Sequence, residues 1–324
     1  MKTRFRIAAL ALILALVAAP AFSQRVEKAK YVFLFIGDGM SLAQVSAAEV
    51  YAKAMAGKEH GFQKLGFTQF PAQGITTTYD SSSIITDSAS AVTAIATGNK
   101  TLSGVINMDT GKTKKFKTIA EYAKEMGWKV GVVSNVSLDH ATPAGFYAKV
   151  PSRGDMYEIC VQLPASGFDY FGGGGLAQPR GKKGDQPDAI ELAKKEGYTV
   201  VNSTAEFRAL KPAAGLKVLA MNETLQDSSA MPYDIDRAAD DLALADYVAK
   251  GIELLMNPKG FFFAVESGKI DWACHANDAA ASIGDTLAFD KAIALAVEFQ
   301  KKYPKDTLVL VTGDHETGGM SIGF

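Results

Sequence analysis

The stretch Tyr31-Val32-Phe33-Leu34-Phe35-Ile36-Gly37-Asp38-Gly39 decides how this chain reads. Tyr31 to Ile36 is a continuous apolar run with no polar alternation. Such a run makes a strand buried on both faces, as in parallel sheets covered by helices. It ends in a Gly-Asp-Gly turn, which puts a carboxylate just beyond the strand. Glycines on either side let the backbone approach a ligand and take dihedrals other residues avoid. Asp38 can bridge two cations there, or can simply sit in a strand-to-helix turn, where Ser41 is able to cap the helix itself.

Working outward, similar runs occur at Gly74–Tyr79, Lys129–Ser134, Tyr198–Val201, Leu216–Ala220, Phe261–Val265 and Thr307–Thr312. Helical patterns lie between them at Leu42–Ala56, Thr118–Met126, Ala189–Glu196, Ala238–Met256 and Ala276–Tyr303. Strands alternating with helices predict an α/β fold with a mostly parallel central sheet and helices on both faces. Ligands of such sheets sit beyond the carboxyl ends of the strands. Asp38, Glu266 and the pair Asp314-His315 each follow a predicted strand, so three strands deliver carboxylate or imidazole to one rim. Gly172-Gly173-Gly174-Gly175 lacks the Lys-Ser/Thr ending of a P-loop and reads as a tight loop. Asn222 to Asp236 reads as a surface connection.

The beginning of the chain reads as a leader. Lys2, Arg4 and Arg6 precede an apolar run from Ile7 to Ala18, and Ala21-Phe22-Ser23 offers small residues for cleavage before Gln24. Residues 1–23 are therefore expected to be a signal peptide and 24–324 a single catalytic domain, periplasmic or secreted, with no stable membrane anchor. The formal net charge is −1, and no basic stretch marks a nucleic-acid surface. Two cysteines far apart, Cys160 and Cys274, do not announce a disulfide.

The chain has four histidines, and three of them, His140, His275 and His315, fall within polar clusters. The fourth, His60, lies in a polar turn. Asp271 and His275 are spaced so that one helical turn puts both on one face, which suits zinc. Ser88, in Thr86-Asp87-Ser88-Ala89, precedes a small-residue helix capped by Asp87 or Thr86. There it is either part of a cap or a hydroxyl nucleophile, held where free N–H groups favour an anionic phosphoryl group. Arg153 is a natural two-pronged anion clamp. A hydroxyl, dispersed carboxylates and imidazoles together are what metal-assisted phosphoryl transfer requires.

These residues carry a resemblance. Phe35-Ile36-Gly37-Asp38-Gly39-Met40, Thr86-Asp87-Ser88-Ala89, His140-Ala141-Thr142-Pro143-Ala144, Ser152-Arg153, Glu266-Ser267-Gly268-Lys269-Ile270-Asp271 with His275, and Asp314-His315 resemble the alkaline phosphatases, in family order. The resemblance implies hydrolysis of phosphate monoesters through a phosphoserine at Ser88. It implies one zinc on Asp38, Asp314 and His315, and a second on Asp271 and His275. It also implies a magnesium on Asp38, Thr142 and Glu266, Arg153 on the phosphoryl oxygens, and a homodimer. Three departures accompany it. His140 stands where many bacterial members have a carboxylate, which makes the third site softer. Trp272 stands where some members have a basic residue, which implies weaker product binding. The sequence given ends nine residues after His315, before the further histidine the family supplies to the Asp271/His275 zinc. The alternative expectation is accordingly a metal- or phosphate-binding chain without turnover, or an inactive fragment.

Overall fold

The computed structural model describes residues 28–57 and 61–322. The expected leader and His60 lie outside them. The elements, in chain order, are β1 (Tyr31–Gly37), α1 (Leu42–Met55), α2 (Ser88–Thr97), α3 (Ile119–Glu125), β2 (Lys129–Ser134), α4 (Ala141–Ala144), α5 (Met156–Ala165), β3 (Tyr170–Gly173), α6 (Ala189–Lys195), β4 (Tyr198–Val201), α7 (Thr204–Ala209), β5 (Lys217–Met221), α8 (Leu244–Leu255), β6 (Phe261–Ser267), α9 (Lys269–His275), α10 (Ala279–Lys302) and β7 (Thr307–Gly313). The strands form one sheet in the order β4-β5-β3-β2-β6-β1-β7. Every pair is parallel.

The apolar run in β1 explains its central place. Phe33 and Phe35 point to one face and pack with Val45 of α1, Leu254 of α8 and Phe289 of α10. Leu34 and Ile36 point to the other and pack with Val92 of α2, Ala123 of α3 and Ile159 of α5. Alternating side chains thus feed two cores, each worth about 25 cal/mol per Å² of apolar surface removed from water. Helix starts are locally encoded. Ser41 caps α1 and its own N–H donates back to the Gln44 side-chain oxygen, Asp87 caps α2, and Thr118 with Glu121 caps α3. Among the described residues no helix is long and apolar enough to cross a membrane.

Five expectations need correction. The helix expected over Ala238–Met256 begins only at Leu244, after the turn at 238–241. Gly74–Tyr79 is not a strand: it joins no sheet among the described residues, and Ile75 is 96% exposed. The glycine block is not simply a loop, because Tyr170–Gly173 is the buried strand β3. The pattern over Ala276–Tyr303 begins later, at Ala279, after Asn277 takes a positive φ and Asp278 caps α10. Asn222–Asp236 is not wholly a surface connection, since Asn222, Ala230 and Met231 are buried.

Candidate active site

Sheet order places the chemistry. β6, β1 and β7 are neighbours, and in register Gly37 lies opposite both Ser267 and Gly313. Glu266, Asp38 and Asp314 therefore emerge side by side at the carboxyl ends. All three are buried, at 2%, 0% and 2% exposure. Gly39 takes a φ of 66°, and its N–H donates to Asp314 Oδ1 at 3.0 Å. At Gly313 a Cβ would meet the Met40 carbonyl oxygen at 1.9 Å, so only glycine fits where β7 passes this turn. Thr142 Oγ1 donates to Asp38 Oδ2 at 3.2 Å. Glu266 accepts from Ser134, its register partner on β2.

Two groups of side chains converge on Asp38. Ligand-type atoms of Asp38, Asp314 and His315 lie within 4.8 Å of one another, as do those of Asp38, His140 and Glu266. So much buried negative charge is unfavourable without cations. Burial first, then the charges of Asp314, Asp271 and Glu266, push the Asp38 carboxyl well above its ordinary range. Burial also raises Asp314 and pushes Glu266 up to about 7, despite the hydroxyl of Ser134. Glu266 Oε1, Asp314 Oδ2 and His140 Nδ1 are buried without a hydrogen-bond partner among the described residues. The orphaned oxygens of Glu266 and Asp314, acceptors among crowded carboxylates, fit cation sites. The all-oxygen set Asp38, Thr142 and Glu266 suits a hard ion, and adding imidazole suits zinc.

Ser88 opens α2, and its hydroxyl faces these groups. Ser88 Oγ is 3.3 Å from Asp38 Oδ1 and 3.2 Å from His315 Nε2. It lines a cleft of about 370 Å³ that also includes Arg153, Asp271, His275 and His315. Arg153 is held on both arms. Nη1 donates to Asp87 Oδ2 at 3.1 Å, and Nη2 lies 2.9 Å from His140 Nε2. Burial would raise the Asp87 carboxyl, but bonds from the Gly104 and Ser90 amides, the Ser90 hydroxyl and Arg153 lower it to about 2. His140 is pushed down to about 3 by burial and by Arg153. It is therefore neutral at physiological pH, with Nε2 free to accept from the guanidinium. Trp272 presents to His140 edge to face, with ring centroids 5.9 Å apart.

Asp271 and His275 face each other along α9, with Nε2 and Oδ1 3.5 Å apart. Asp271 accepts from Thr317 Oγ1 at 2.6 Å, and the His275 side chain is 71% exposed. They form a pair rather than a group of three among the described residues.

Every candidate from the sequence lies at this rim, but several of their supports were missed there. Asp87 reads as a cap and also anchors Arg153. Thr317 orients Asp271 and His315 together. Asp139 is buried and accepts from the Ala177 and Gln178 amides and the Cys160 thiol, so it pins the loop beside His140. A cap-type Asp and a Thr in a loop carry no sequence signal for these roles. Lys269 is fully buried. Burial lowers its pKa, and Asp285, Asp227 and Asp236 oppose that shift.

The family model described as alkaline phosphatase matches residues 29–173 and 167–323. Alkaline phosphatase 3 of Bacillus subtilis is 35% identical over 92% of this chain and 63% of its own length. This chain thus spans just under two thirds of that relative. The solved cold-active alkaline phosphatase of the psychrophile Shewanella sp. superposes with a TM-score of 0.80 at 31% identity, covering 90% of this chain and 70% of that one. A variant of the TAB5 alkaline phosphatase, with one histidine replaced by aspartate and magnesium in its M3 site, gives 0.78 at 33% identity, over 91% and 80%. By sequence model, by relatives and by fold, the chain belongs to the alkaline phosphatase family.

Proposed function

We propose that this chain hydrolyses phosphate monoesters through a phosphoserine on Ser88. One observation carries the reading: the Ser88 hydroxyl stands in the first turn of a helix, beside Asp38 and His315 and in one cleft with Arg153. Asp38, Asp314 and His315 would hold one zinc, and Asp271 with His275 a second. Asp38, Thr142 and Glu266, with His140 adjacent, would hold a magnesium. When bound, such ions lower the pKa of a hydroxyl and neutralise charge on a transferring phosphoryl group.

The chain's own groups do the positioning. Arg153 offers its guanidinium to two nonbridging oxygens, and Asp87 and His140 fix its direction. The start of α2 supplies unpaired N–H groups toward the same anion. Ser88 Oγ forms the bond to phosphorus as the alcohol leaves, and water later attacks that phosphorus and releases Ser88. Two displacements replace one harder one. We further infer export to the periplasm or medium after cleavage before Gln24, and a homodimer as in the resemblance.

The chain of residues 24–324, assayed on a chromogenic phosphate monoester with added zinc and magnesium, should turn over repeatedly. Chelator and Ser88→Ala should each abolish that. Turnover surviving Ser88→Ala would overturn the covalent route. The two-membered Asp271/His275 pair favours a second reading, because catalytic zinc ordinarily has three protein ligands. In that reading the chain captures phosphate without turnover. One equivalent of released alcohol per chain, and no more, would select it.

A further inference from the structure

We propose that Lys269 is a positioning residue for the phosphate clamp, acting through Trp272 and His140 on Arg153. The proposal rests on the reading that Arg153 binds the phosphoryl group. Lys269 is the first residue of α9 and is fully buried. Its ammonium has no hydrogen-bond partner among the described residues. It lies instead against two rings, 3.6 Å from the centroid of Tyr233 and 4.9 Å from that of Trp272. Both are within the reach of a cation–π contact, which is stronger when water is excluded.

The contacts continue in one direction. Trp272 meets His140 edge to face at 5.9 Å and 77°. His140 Nε2 meets Arg153 Nη2 at 2.9 Å. Arg153 ends on Asp87. The guanidinium therefore has one arm on a carboxylate and one on an imidazole whose ring is set by an indole. The indole face is in turn held by a buried cation. A buried ammonium without a hydrogen bond is costly even with the charges of Asp285, Asp227 and Asp236 offsetting part of that cost, and an apolar chain of equal length would fill the same space without it. Nothing in the reaction itself uses Lys269. Holding the indole gives it a purpose: the indole limits rotation of His140, and His140 limits where the second arm of Arg153 points.

The test measures binding of inorganic phosphate by calorimetry to the full chain with zinc and magnesium. The variants are Lys269→Met, Lys269→Arg, Trp272→Leu and the Met/Leu double. Lys269→Met should weaken binding about three- to tenfold, a part of the roughly thirtyfold that one desolvated cation–π contact is worth, since the effect passes through the rings of Trp272 and His140. Lys269→Arg, which keeps the cation, should restore it. The double variant should be no weaker than Trp272→Leu alone, because the lysine then has no ring to hold. Unfolding temperature should not fall in Lys269→Met, since the desolvation cost of an ammonium buried without a hydrogen bond is gone. Binding within twofold of the parent, losses that multiply in the double variant, or a Met variant that unfolds would each overturn the proposal. A parent chain that binds no phosphate overturns the reading of Arg153, and this one with it. A parent that binds and a Met variant that binds equally overturn only the relay.

Discussion

Stability of the metal-free chain should fall as pH rises, and metal should cancel much of the fall. Glu266 is raised from an ordinary 4.5 to about 7. The folded chain therefore holds a proton that the unfolded chain has released between those values. Stability declines with pH wherever the folded state binds more protons, so the loss begins above an ordinary carboxyl pKa and is complete past about pH 7. The size is about 3 kcal/mol, at about 1.4 kcal/mol per pH unit. Asp38 and Asp314 are raised as well and add in the same direction. The assay is urea unfolding in chelator between about pH 5 and about pH 8, for the parent and Glu266→Gln. The glutamine variant should lose about 3 kcal/mol less across that window. Saturating zinc and magnesium should flatten the parent's curve, because bound cations keep the carboxylates ionised and add their own binding energy. Equal declines in parent and variant, or a decline that metal leaves untouched, would refute the electrostatic account of the cluster.

Three further outcomes are expected. Asp285→Asn should flatten the pH dependence that persists in metal-loaded protein: burial pushes this carboxyl up to about 7, worth about 3 kcal/mol across the same window, and it lies outside both cation groups; unfolding of the loaded variant reads it. Asp87→Asn should cost about 2 kcal/mol at neutral pH. Its carboxyl is lowered to about 2, so its contribution is present above the ordinary carboxyl range and is lost on acidification. The unfolding difference from the parent should therefore vanish in acid, and phosphate binding should weaken with Arg153 released. Gly39→Ala places a Cβ 2.8 Å from Asp271 Oδ1 at a φ of +66°. If the pair Asp271/His275 holds zinc as proposed, displacing the Asp271 carboxylate should lower zinc affinity on the order of tenfold, as read by competition with a chromogenic chelator.

Where sequence succeeded and failed follows from local against distant causes. The strand Tyr31–Gly37 is legible because its apolar run requires burial on both faces, and Asp38 inherits its place from that strand. Gly74–Tyr79 is β-branched too, with Ile75 and three threonines, but it joins no sheet among the described residues. Composition cannot supply a neighbour. Tyr170–Gly173 failed the other way. Its glycines look like a loop, yet at Gly172 a Cβ would stand 2.5 Å from the Tyr170 hydroxyl, and at Gly173 one would stand 1.8 Å from the Ser134 carbonyl oxygen. The chain uses glycine there to let strands and rings approach. The ligand-type residues were legible because acid and imidazole at strand ends are conspicuous. Thr317, Asp139 and Lys269 were not, because their roles depend on contacts across long stretches of chain.

β7 lies at one end of the strand order and pairs with β1 alone among the described residues. Leu308 and Leu310 on it are 42% and 44% exposed. The same strand delivers Asp314 and His315. A cation shared with Asp38 would thus be a clasp between the margin of the sheet and its centre. Opening that margin would dismantle the site and bare an apolar, half-paired strand in one event, the kind of edge that recruits other chains. Stripping metal should therefore turn a loss of chemistry into a loss of solubility. Clouding of a chelated sample would be a simple outward sign that the clasp had opened.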